Sequence, residues 1–214
     1  DIRLGRSEKS LDSYLSNLKH KERCQMVCID LSPSYRAIVR KHFPNAKIVA
    51  DRFHVIRTVN HHFMELWKLL DPVGKKNRGL LSLFRRNPSK LNSEQVVNLD
   101  KYLNSIPGLK QSYDFRNQIN ELLNTKTLNF RDMKPAIKQF NYIIEDLKTS
   151  GFNSLITLAN TFENWDEEIL RMLRYTKNNG ITEGYHNKME VISRRAYGFR
   201  NFENYRQRVL LQCA

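Results

Sequence analysis

"MVCIDLSPSYRAIVRKHFPNAKIVADRFH", residues 26–54, carries the reading of the fold. Met26 to Ile29 is a short apolar run that ends on Asp30, and Ile48-Val49-Ala50 is a second that ends on Asp51. Between them Pro33 permits a helix to start, and Tyr35, Ile38, Val39, His42 and Phe43 keep a 3–4 rhythm until "FPNA" breaks it. Strand, helix, strand in so few residues predicts two parallel strands joined by a right-handed crossover. Upstream, "SEKSLDSYLSNLK" (7–19) predicts a helix, with Ser7 and Ser10 as rival caps.

Downstream of residue 53 the strand signal stops. Helical segments follow in "HVIRTVNHHFMELWKLL", "NSEQVVNLDKYLNSI", "YDFRNQINELLN", "MKPAIKQFNYIIEDLKTS" and "WDEEILRMLRYTKN". Breaks are expected at Asp71-Pro72, Asn87-Pro88, Ile106-Pro107-Gly108 and Ser150-Gly151. "GKKNRGLLSLFRRNPSK" (74–90) is basic, loop-like at its ends, and reads as a mobile connector. "ITEGYHNKMEVISRRAYG" (181–198) reads as a helix stopped at Gly198, and a last helix runs through "FENYRQRVLLQ". Trp67 and Trp165 read as core anchors of the helical part.

Composition narrows the function. The 214 residues include 36 Lys and Arg against 22 Asp and Glu, a formal net charge of +14. That excess favours a polyanionic partner such as nucleic acid. No apolar run approaches the ~18–20 residues of a membrane span and no signal-peptide pattern appears, so a soluble, cytoplasmic protein is expected. Cys24, Cys28 and Cys213 make an odd count without a second Cys/His pair, and are expected as reduced packing residues.

Asp30 and Asp51 both close strands, at the edge where open α/β sheets place ligands. Either one alone reads more readily as a helix cap. His54 follows Asp51 at a spacing open to three readings: metal ligand, catalytic group or polar turn. Glu183 and Asn187 share a helix face, with Glu190 one turn on. If that helix packs beside the strand ends, Glu183 approaches Asp30. Carboxylates converging there need a hard cation, for which Mg²⁺ or Mn²⁺ suits all-oxygen ligands.

These residues carry a resemblance. "VCIDLSPSYRAIVRKHFPNAKIVADRFHVIRTVN" with "NNGITEGYHNKMEVISRRAYGFRNFENYRQRVL" resembles bacterial insertion-sequence transposases of the ISL3 family. The likeness covers most of residues 1–60 and 176–212. It implies an α/β fold with a partial ribonuclease-H-like core of short parallel strands and a large all-α insertion, predominantly helical. On that pattern residues 1–58 are the first part of the core, 59–177 the helical insertion, and 178–214 the helices that return with the catalytic Glu. The resemblance further implies a DDE transposase that uses Mg²⁺ or Mn²⁺ to cleave DNA at transposon ends and join them to a target. Asp30 takes the place of the second catalytic Asp and Glu183 that of the catalytic Glu, both as metal ligands. Asp51 and His54 fall on the family's Asp-x-x-His motif and are expected to brace the site.

One departure stands out. The family's first catalytic Asp lies upstream of the segment matching "DIRLGRSEKSLDSYLSNL", and neither Asp1 nor Asp12 replaces it. The expectation is therefore a C-terminal part of a transposase whose two-metal site is incomplete. The alternative is a non-catalytic DNA-binding or regulatory fragment. Lys188, Arg194, Arg195 and Arg200, interleaved with aromatics, are the expected DNA-backbone contacts, and Lys75, Lys76, Arg78, Arg85 and Arg86 form a second basic patch. Self-association through an exposed sheet edge and a nucleoid-associated location complete the expectations.

Overall fold

The computed structural model describes residues 1–5, 7–106, 108–126, 128–175 and 180–213, and for residues 130 and 181–183 the backbone only. The chain divides into two compact units, residues 1–51 with 176–214, and residues 52–175.

In the first unit, helix α1 (Glu8–Ser16) starts where the Ser7 side chain accepts the backbone N–H of Ser10. Strand β1 (Met26–Ile29) follows, then helix α2 (Pro33–His42), then strand β2 (Lys47–Ala50). Ser32 caps α2 by accepting from Tyr35 N–H, and Pro33 occupies the first turn, where its missing N–H costs no hydrogen bond. The strands pair in parallel, with Met26 opposite Lys47 and Ile29 opposite Ala50. Both are short because their apolar runs are short. Ile29, Ile48, Val49 and Ala50 are buried, and α2 contributes Ile38, Val39 and His42 to the interior. Lys41 lies 2.8 Å from Glu8 and 2.7 Å from Asp12, so α1 and α2 are joined by ion pairs as well as by packing.

Helices α10 (Gly180–Arg195) and α11 (Phe202–Cys213) complete this unit. α10 ends in left-handed backbone, at Tyr197 (φ 52°) and Gly198 (φ 93°), and Gly198 N–H reaches back to the carbonyl of Ser193. Phe199, Phe202 and Tyr205 cluster in the turn, half-buried, whereas Tyr197 stands fully in solvent.

The second unit is helical throughout its described residues. Helix α3 (Arg52–Leu70) buries Val55, Val59, Phe63, Leu66 and Trp67, a stripe at 3–4 spacing. Around it lie α4 (Arg78–Arg85), α5 (Ser93–Asn104), α6 (Leu109–Asn124), α7 (Phe130–Thr149), α8 (Asn153–Asn164) and α9 (Asp166–Arg174). Residues 74–90 are not a plain connector. Asn77 caps α4, which sends Phe84 into the core to stack on Trp67 at 4.3 Å and 10°. Trp165 is buried as well, at 3% exposure. Helix α8, which the sequence reading passes over, presents Leu155, Leu158, Ala159 and Phe162 to the interior.

Two polar devices pin this unit. Trp67 Nε1 donates to the Tyr102 hydroxyl (2.7 Å), which donates to Asp71 Oδ2 (2.7 Å), while Asp71 Oδ1 accepts the N–H groups of Val73 and Gly74. A Cβ on Gly74 would lie 2.1 Å from that carboxylate and 2.3 Å from the hydroxyl, so the turn requires glycine. Arg52 donates to the carbonyls of Leu123, Thr125 (2.8 Å) and Met172 (2.7 Å), placing a cation at the carboxyl ends of α6 and α9.

Candidate metal centre

In a parallel pair, residues at one register level point the same way. Ile29 is opposite Ala50, so Asp30 and Asp51 leave the sheet side by side at its carboxyl edge. The backbone is held there too, with Asp51 N–H donating to the carbonyl of Ile29 at 2.7 Å. Three residues on, His54 sits in the first turn of α3. One ligand atom each from Asp30, Asp51 and His54 lies within 4.8 Å of the other two.

Asp51 is 2% exposed, whereas Asp30 and His54 are half-buried. A buried carboxylate beside a second carboxylate is electrostatically expensive unless positive charge or hydrogen bonds compensate. One such donor is Cys28, whose Sγ lies 3.8 Å from Asp51 Oδ2. Burial, then the Asp51 carboxylate, pushes the Cys28 thiol up to about 12, so it stays protonated and donates. The donor set of two carboxylates and one imidazole fits a divalent cation. The oxygens suit Mg²⁺ or Mn²⁺, and the nitrogen tilts the choice toward Mn²⁺.

The other expected site residues are carried by α10 and the turn that follows it. Glu183 is on α10, and its side chain lies outside the described residues. Lys188 and Arg194 are exposed on α10, Arg195 is its last residue, and Arg200 is exposed before α11. Lys188 Nζ stands 5.8 Å from the Tyr185 ring centre, and Arg194 pairs with Glu190 at 2.8 Å. Arg206 is committed to Asp1 and Glu203, 2.8 and 2.6 Å away. Cys28 is the site neighbour that sequence reasoning assigns only to packing. Strand alternation puts it on the face of Asp30, two residues ahead, and that was the available signal. Among the described residues no helix is long and apolar enough to cross a membrane.

The family model for transposases of the ISL3 type matches residues 1–209. A transposase for insertion sequence element IS1001 from Bordetella parapertussis is 28% identical over 210 residues, covering 93% of this chain and 50% of that protein. A protein named ATP-dependent protease from Lactococcus lactis subsp. lactis is 26% identical over 133 residues, covering 60% of this chain and 38% of that protein. The chain spans half or less of the length of these curated relatives. It contains no G-x-x-x-x-G-K-[S/T] loop of the kind that cradles ATP phosphates. No solved structure matches it. The family match runs from the first residue through both strands, the helical unit and α10, and by that extent the chain belongs to the ISL3 family of transposases.

Proposed function

We propose that this chain supplies part of the active site of a DDE transposase, on a partial ribonuclease-H-like core, and acts on DNA by metal-dependent strand cleavage and transfer. The observation that carries this reading is the pairing of Asp30 with the buried Asp51 at adjacent parallel strand ends, with His54 beside them. Asp30 is common to this cluster and to the family's pattern, in which Glu183 is its partner. Asp30 and Glu183 act as the catalytic carboxylates and metal ligands. Asp51 and His54 complete or brace the donor set, and Cys28 holds the Asp51 carboxylate in place.

When bound, Mg²⁺ or Mn²⁺ supplies the charge that lowers the pKa of a coordinated water and stabilises a departing oxygen. In the cleavage, water oxygen bonds to phosphorus, the bond to the 3′ oxygen breaks, and a 3′-hydroxyl and a 5′-phosphate result. That hydroxyl oxygen then bonds to a target phosphorus, the target's own bond from phosphorus to its 3′ oxygen breaks, and the departing 3′ oxygen takes the proton that the attacking hydroxyl gives up. Exposed Lys188, Arg194, Arg195 and Arg200 hold the DNA backbone. The first catalytic Asp of the family pattern has no counterpart in residues 1–214, so the two-metal site is incomplete in this chain and strand transfer by it alone is not expected.

The test is a cleavage assay on a transposase that carries residues 1–214. Asp30→Asn and Glu183→Gln should each abolish Mn²⁺-dependent cleavage of transposon-end DNA while leaving DNA binding in place. Wild-type cleavage rates in both variants would sink the assignment and leave the non-catalytic DNA-binding reading. Robust Asp30-dependent cutting by residues 1–214 alone would refute the incomplete site.

A further inference from the structure

The helical unit holds a basic cleft that the strand-end residues do not share. Two cavities of about 650 and about 450 Å³ have Asn60, Arg85 and Arg116 in common in their walls. α3 forms one side and α6 the other, and residues 85–89 close the end. Five cations line the pair (Arg57, Lys75, Arg85, Arg86 and Arg116) against two carboxylates, Glu65 and Glu121. Lys75 is already spoken for, 3.0 Å from Glu65. Arg57, Arg85 and Arg86 are exposed and make no ion pair among the described residues. Much of the remaining wall is amide, from Asn60, Asn87, Asn117, Asn120 and Asn124. Such a lining suits neither an apolar ligand nor a cation.

Arg116 is the independent observation. It is only 3% exposed, yet it lines both cavities and has no carboxylate partner among the described residues. It donates to the Phe84 carbonyl (2.8 Å) and to Asn117 Oδ1 (2.9 Å), and its guanidinium rests 4.7 Å from the Tyr113 ring centre. Among the described residues its Nε–H has no acceptor, and Asn120 Oδ1 on the same wall has no donor. A guanidinium buried without a counter-ion loses hydration that these contacts replace only in part. An anion in the cleft would supply what is missing, and a phosphate oxygen is the acceptor that arginine's planar donors match best.

We propose that this cleft binds a nucleic-acid strand through its phosphodiester backbone, engaging Arg57, Arg85 and Arg86 at the mouth and the amides within. The proposal shares the polymer with the proposed function but none of its residues, so the two can fail separately.

The test is fluorescence anisotropy of the 214-residue chain with labelled single-stranded and duplex oligonucleotides over a salt series. The variant Arg57→Gln/Arg85→Gln/Arg86→Gln removes three exposed cations. Losing three phosphate contacts should make the slope of log K against log salt shallower by about 2–3 and weaken binding at least about tenfold at low salt. Ser89→Glu, which adds a carboxylate to the wall without removing a contact, should weaken binding in the same direction and serves if the triple variant unfolds. Arg131→Gln/Lys134→Gln/Lys138→Gln on α7, also exposed, should change affinity by less than about twofold. An unchanged slope in the cleft variant, or equal losses in the two triple variants, overturns the proposal. So does saturation by inorganic phosphate alone with no oligonucleotide binding, which would mark a small-anion site. The metal dependence of Asp30 is read separately and survives any of these results.

Discussion

Replacing Asp51 with Asn tests the metal centre without a cleavage assay. Asn keeps the shape and an acceptor for the Cys28 thiol but removes one charge. With ligand atoms of Asp30 and Asp51 within 4.8 Å, two full charges repel by about 1 kcal/mol in a water-like medium and about 3 kcal/mol at an effective dielectric near 20. In EDTA, Asp51→Asn should therefore be the more stable protein, by about 1–3 kcal/mol. For a chain of this size that is a rise of roughly 2–12 °C in midpoint. Mn²⁺ reverses the order. At a hundred times its dissociation constant, a ligand that binds only the folded state adds about 2.7 kcal/mol. The variant, short of one ligand, should lose most of that increment. Scanning calorimetry of both proteins in EDTA and across a Mn²⁺ series gives the four midpoints. Crossing of the two proteins is the expected result. Equal Mn²⁺ increments in wild type and variant would refute the centre.

Three further outcomes follow from the packing. Tyr102→Phe strands the fully buried Trp67 N–H and should cost about 1–3 kcal/mol in urea unfolding; a loss below about 0.5 kcal/mol would mean that the Trp67–Tyr102–Asp71 chain is incidental. Arg52→Met removes a charged donor from the carbonyls of Leu123, Thr125 and Met172 and should lower stability by about 2–4 kcal/mol, where Arg52→Lys recovers only part of the loss; full recovery by Lys would argue against a role for the planar guanidinium. Hydrogen bonds from Lys41 hold the Asp12 carboxyl, and those from Gly74 N–H and Tyr102 the Asp71 carboxyl, below the usual range. Groups depressed in the folded state stabilise above their unfolded pKa and lose that contribution as pH falls through the folded value. The urea midpoint should accordingly hold from about pH 7 to 5 and drop below about pH 4, more shallowly in Lys41→Gln; a midpoint that rises on acidification would contradict these pairings.

The strands were legible because Val27–Ile29 and Ile48–Ala50 are short apolar runs with Pro33 and Pro44 between them, a pattern with few other solutions. Placing Asp30 and Asp51 at carboxyl strand ends needed only that pattern. What no local pattern carried was the register that sets Cys28 beside Asp51, a contact 23 residues apart in sequence. The same holds for Arg52, whose acceptors lie 71 to 120 residues away. Helix α4 was masked by Gly74, Gly79, Pro88 and a run of cations, although Leu80, Leu81 and Phe84 hold a helical stripe. Helix α8 gives only a weak local signal because Asn and Thr dilute its propensity, and burial of Leu155, Leu158 and Phe162 overrides that. Arg85 and Arg86 stood out in sequence as part of a basic patch. Arg116, buried 30 residues on, did not, since its setting depends on α4 and α6 meeting.

The division of the chain into residues 1–51 with 176–214 and residues 52–175 also sorts its natural reporters. Both tryptophans, Trp67 and Trp165, belong to the helical unit, and all three cysteines, Cys24, Cys28 and Cys213, belong to the other. Intrinsic tryptophan emission therefore follows the opening of one unit alone, and thiol labelling follows the other. Without a single engineered probe, the protein can be asked whether its strand-bearing and helical parts unfold together, and which of the two a divalent ion or an oligonucleotide holds shut.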